Sequence, residues 1–126
     1  MEEEREKRIV DCGDRLLIVT RRLFSGDVPL HFVGIVDRAT QNAILIHGYA
    51  FVLDDGKFVR CGGQRSRVFS LDNQVILSVL PDDVDVSCVR YEYGENGQVF
   101  VTDGRQFRID VRECGYEAGG VSIMSE

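Results

Sequence analysis

Lys57, Arg60, Arg65 and Arg67 form the densest group of bases outside the N-terminus, and no acid interrupts the chain from Gly56 to Leu71. Gly62 and Gly63 lie among them, and a backbone without Cβ atoms lets N–H groups approach an anion. This grouping suits a phosphate or an RNA backbone. The alternative is a solvated loop whose bases pair with acids elsewhere. His47, Tyr49 and Phe58 lie close by in sequence and are candidates to stack on a nucleobase. His31 and His47 lack the short spacing and accompanying carboxylates of a metal site, so no metal is expected. Asp82, Asp83 and Asp85 lack the ligand order of a calcium loop and read as a solvated turn. No two of Cys12, Cys61, Cys88 and Cys114 form a Cys-x-x-Cys motif. Cys61 sits among arginines, but no neighbouring base marks it as a nucleophile. No serine–histidine–aspartate order, phosphate loop or paired carboxylates can be identified. The expectation is therefore a non-enzyme with no cofactor.

Charge is unevenly spread. The net charge is −6, yet residues 1–25 and 26–80 are each balanced, and residues 81–126 hold ten acids against four bases. Polyanions are repelled at long range by such a chain, so RNA binding would need a local basic surface. The acidic last third could instead meet a basic protein partner. The charged start has no apolar segment after it, and no apolar run is long enough to span a membrane, so the expectation is a cytoplasmic protein with reduced thiols.

The elements that must carry these residues read as strands. Asp14–Phe24 contains Ile18, Val19 and Thr20, whose branched Cβ atoms favour strand over helix. His31–Asp37 and Ala43–Leu53 follow, each with an internal glycine that signals bending or close backbone approach. Asp54-Asp55-Gly56 is a tight turn, and Phe58 and Val59 continue the chain as strand beyond it. Val68–Pro81, with Asp72-Asn73-Gln74 between two apolar runs, reads as a hairpin. Cys88–Tyr93, Gln98–Thr102 and Phe107–Val111 form a meander, with Asp103-Gly104 as a two-residue type I′ turn. The sequence divides into a charged segment (1–13), a barrel (14–81), a β-meander extension packed on it (82–112) and a loose tail (113–126). The fold class is all-β, a small strongly bent barrel followed by a meander.

Residues 14–81 resemble the Sm-like (LSm) family, a bent five-stranded barrel related to the SH3 shape. Phe32-Val33-Gly34-Ile35-Val36 matches the apolar-x-Gly-x-apolar centre of its first motif. Asn73, Val75 and Pro81 agree with the outline of its second motif. Thr40, Leu71 and Asp72 stand where the family has aspartate, arginine and glycine, so the uridine pocket is not carried over. Family members form rings by pairing the fourth strand of one subunit with the fifth of the next. The resemblance thus implies a homo-oligomer with Val68, Phe69, Val75, Leu77 and Val79 on the pairing edges. Three readings remain open, in order: an oligomeric RNA- or anion-binding module, an assembly module without nucleic acid, and last a small enzyme.

Overall fold

The structure is a computed structural model that describes residues 9–20, 30–72 and 75–111. It is all-β. The strands are β1 (Arg15–Thr20), β2 (Leu30–Ala39), β3 (Ala43–Asp54), β4 (Lys57–Arg60), β5 (Arg65–Ser70), β6 (Val75–Leu80), β7 (Arg90–Tyr93), β8 (Val99–Thr102) and β9 (Arg108–Asp110). Two short 3-10 turns, Val86–Cys88 and Glu95–Gly97, are the helical elements among the described residues. None is long and apolar enough to cross a membrane.

The first sheet is antiparallel and runs β4-β3-β2-β1-β6, with β5 also paired to β3. Strand β3 is long enough to serve two partners. Its end pairs with β4 (Phe51 opposite Arg60) and its start with β5 (Gly48 opposite Arg65). The partner residue numbers shift by two between these registers, so β4 and β5 are halves of one strand that swings out at Cys61–Gln64. The expected Val68–Pro81 hairpin is not formed. Strand β5 lies on β3, whereas β6 pairs with β1 through six residue pairs. Each apolar run thus has a separate partner, and the two strands stand at opposite ends of the same sheet.

Two cores explain the apolar sequence of β1, whose Leu16–Val19 are all buried. Leu16 and Ile18 face inward with Phe32, Val36, Ile44, Ile46, Ala50 and Phe69. Phe69 on β5 reaches Phe32 on β2, ring centroids 5.5 Å apart, with β3 between their strands. Such contact requires the sheet to curl around this core. Leu17 and Val19 face outward, against Val84, Val86, Val89, Val99, Val101 and Val111. The β7-β8-β9 meander therefore covers the outer face of the curl. The acidic stretch after Pro81 is only half solvated, because Val84 and Val86 plug this second core between exposed aspartates.

The seam between sheets holds His31. Its ring is fully buried, stacks on Phe58 (centroids 4.4 Å apart) and hydrogen-bonds the Tyr91 hydroxyl through Nδ1. Burial lowers its pKa to about 4. The unfolded chain, with an ordinary histidine, binds this proton between pH 6.5 and about 4, whereas the folded one does not. Stability is accordingly complete above pH 6.5 and falls on acidification through that window, by up to about 3 kcal/mol. Urea titrations at pH 7 and pH 4.5 should show the loss, and His31→Gln should flatten it.

The two Asp-Gly pairs behave differently. Asp55 and Gly56 both have positive φ (53° and 82°) and join Asp54 to Lys57 directly, so the two-residue type I′ turn is here. At Asp103-Gly104 the register closes Thr102 against Arg108, which leaves a five-residue loop and corrects the sequence expectation. The cause is the Asp103 carboxylate, which accepts N–H bonds from Arg105, Gln106 and Phe107 (2.9, 2.7 and 3.2 Å). Burial alone would raise its pKa, but these backbone donors together outweigh it and hold the carboxyl below the usual range. Asp103→Ala orphans three donors. It should cost about 1–3 kcal/mol at neutral pH, measured by urea unfolding.

Candidate functional site: sheet edges and the outer strip

Strands β5 and β6 are the two free ends of the curled sheet, and neither pairs on its second side with any strand among the described residues. Strand β6, Val-Ile-Leu-Ser-Val-Leu, has no charged residue. Val79 is 57% exposed on it and Val68 is 68% exposed on β5. Natural sheet edges are normally blunted by charge, proline or a covering group, because unpaired N–H and C=O groups recruit further strands. Strand β4 has such cover, since the Tyr93 hydroxyl accepts the Phe58 N–H at 2.7 Å. Strand β5 carries Arg65 and Arg67. Beside β6 lies an apolar groove of about 400 Å³, lined by residues that include Ile9, Val10, Leu71, Val75, Leu77 and Val79. Ile9 is 88% exposed at its rim.

The expected edge residues divide into two kinds. Val68 and Val79 present their side chains to solvent. Val75 and Leu77 lean on the inner core, and Phe69 is buried within it. Phe69 therefore contributes its backbone to the edge, while its side chain holds the curl.

The four bases of the 57–67 segment do not converge. Arg60 lies over the Tyr49 ring at 4.2 Å and donates to the Ser87 carbonyl at 3.0 Å. Lys57 sits 5.9 Å from the Tyr93 ring centroid. Arg65 folds back to donate to the Cys61 carbonyl across the bulge. Arg67 is exposed with no polar partner among the described residues, and the exposed Lys57 ammonium has only the Tyr93 ring beside it there. Arg60 thus braces the outer face of β3, Arg65 the bulge, and Lys57 the meander. None forms an ion pair with the acidic last third among the described residues. Phe58, expected as a stacking surface, is buried between the His31 and Tyr91 rings (4.4 and 4.5 Å), so it cannot receive a base. Tyr49 is half-buried beneath Arg60.

Comparison with family models, curated proteins and solved structures finds no match to this chain. What can be said of function therefore comes from its own side chains.

One constellation could not be seen from residue order. His47 on β3 stands directly opposite Ser66 on β5, and its Nδ1 hydrogen-bonds the Ser66 hydroxyl. Its Nε2 lies 3.4 Å from the Asp37 carboxylate. Asp37 is the extra residue where the β2–β3 register slips between Val36 and Arg38, and such bulges re-aim side chains. Asp37, His47 and Ser66 thus stand in line, with a hydrogen bond between His47 and Ser66 and an ion-pair distance between His47 and Asp37. It lies on the part of the outer face beyond the meander, with the His47 and Asp37 side chains 40% and 47% exposed. Water has full access to it, and an exposed pair of this kind adds at most about 1 kcal/mol. Among the described residues no group of three histidine, cysteine or acidic side chains could hold a metal. Cys12, Cys61 and Cys88 are free thiols.

Proposed function

We propose that the protein is an assembly module that joins copies of itself edge to edge, β5 of one copy pairing with β6 of the next. The observation that carries this reading is the uncharged β6, paired with β1 on one side and with no strand on the other among the described residues. The two open strands sit at opposite ends of one sheet, so the contact is head-to-tail. Repeated head-to-tail contacts close into a ring when the rotation per subunit allows it. The Sm-like resemblance implies the same pairing, in which the runs of Val68–Pro81, β5 and β6 here, would be the family's fourth and fifth strands. Exposed Val68 and Val79 add apolar area at both halves of the joint.

RNA is not the leading ligand in this reading. Arg60 and Arg65 are engaged within the chain, which leaves Lys57 and Arg67 as the cations of the segment without a polar partner among the described residues. The test is light scattering of the purified protein together with its 260/280 absorbance ratio. A nucleic-acid-free oligomer supports self-assembly. An oligomer that carries nucleic acid supports the RNA-binding version, and a monomer removes both.

A further inference from the structure

The acidic last third contains a basic recess that sequence order hides. On the solvent face of the meander, register sets Arg90, Thr102 and Arg108 side by side across three strands. The loop after β8 brings in Arg105. The result is a shallow recess of about 390 Å³ whose lining includes Arg90, Arg105, Arg108, Glu92, Gln106 and Phe107. Its size falls in the range of small-ligand sites.

The arginines are held in place. Glu92 takes Arg90 Nη2 on one oxygen at 3.2 Å and faces Arg108 Nε with the other at 3.6 Å. The Arg108 guanidinium also stacks 3.8 Å from the Phe100 ring centroid. Gly104 makes room for Arg90, because a Cβ there would stand 2.8 Å from Nη1, and its φ of +82° disfavours any side chain. Glu92, shared by Arg90 and Arg108, is thus the one carboxylate lining a recess of three guanidinium groups. Asp110, next on the same face of β9, is not among the lining residues. Arg105 has no polar side-chain partner among the described residues, and each guanidinium carries five N–H donors, most of them unspent here.

We infer that this recess binds a small ligand through a phosphoryl group. Arginine forks match phosphate oxygens in pairs, which favours them over lysine for such groups. A small anion is favoured over a polyanion by the charge distribution. Ten acids surround this part of the sequence, and their repulsion grows with every charge of an approaching ligand. A small anion inside the recess instead meets the three guanidinium groups directly, with Glu92 the one carboxylate that lines it.

Inorganic pyrophosphate is the probe, titrated at low salt by calorimetry into the full chain and three variants. Wild type should bind saturably. Arg105→Ala should weaken binding at least fivefold with an unchanged melting temperature, since the side chain bonds no other side chain among the described residues. Glu92→Gln should tighten binding severalfold, because it removes the competing carboxylate. Arg67→Ala should leave binding unchanged. No saturable binding by wild type would overturn the inference. So would equal losses in Arg67→Ala and Arg105→Ala, which would mean charge attraction without a site. These outcomes are independent of oligomeric state and so separate from the proposed assembly.

Discussion

Gly48→Ala should leave no cooperatively folded protein at 25 °C. Gly48 lies directly opposite Gly34 where β2 and β3 cross the bend. A Cβ at Gly48 would stand 2.0 Å from the Val33 carbonyl oxygen and 2.5 Å from the Gly34 Cα. Both obstacles are backbone, so no rotamer change relieves them. The strands would have to part at the centre of the longest ladder among the described residues. Disruption of this kind costs upward of about 4 kcal/mol, which rivals the total stability of a small domain. Gly34→Ala meets the His47 carbonyl oxygen at 2.4 Å and should fail in the same way. Gly63→Ala has nothing within 4 Å and no positive φ, so it is the control and should melt like wild type. Circular dichroism with thermal melts decides. A Gly48→Ala protein that melts within a few degrees of wild type would mean that the strand crossing is wrongly described.

If the proposed joint forms, Val79→Lys should convert the assembly into monomers while the subunit stays folded. Val79 is more than half exposed, so the subunit itself loses little from the change. In the joint the lysine would face the neighbouring strand, and edge lysines are the usual natural device against strand addition. Association should weaken by about 100-fold or more, a loss near 3 kcal/mol. Val59→Lys is the matched control. Val59 is also exposed, but it lies on β4, whose edge Tyr93 already covers. Sedimentation velocity should show the first variant dissociated and the second unchanged.

Much of this architecture is legible in the residues. Alternating Tyr91, Tyr93 and Ile109 against Arg90, Glu92 and Arg108 gives the meander its two faces, and Gly34 marks the bend. The misreadings have physical causes. The Val68–Pro81 hairpin looks local because its runs adjoin, yet β1 and β3 offer each run a partner of full length. The type I′ turn was expected at the second Asp-Gly pair because dipeptide identity does not report what the aspartate bonds. Asp103 reaches three backbone N–H groups and builds a longer loop, while Asp55 adopts positive φ itself.

The sites were less legible than the fold. Lys57, Arg60, Arg65 and Arg67 are neighbours in sequence, and strand geometry scatters their uses. Arg90, Arg105 and Arg108 are separated by a hairpin and a loop, and register collects them. Asp37, His47 and Ser66 come from three strands, and a bulge that no residue type announces turns Asp37 to the others. Phe58 looked like an exposed aromatic among bases, but the meander closes over it.

The central claim is that β6 is a joint rather than a finished edge. Light scattering of the wild-type chain at micromolar concentration and physiological salt tests it most directly. The account predicts one discrete species whose mass is a small multiple of 14.2 kDa and which persists at high salt, because the joint is apolar and backbone-paired. A single species at 14.2 kDa would contradict it.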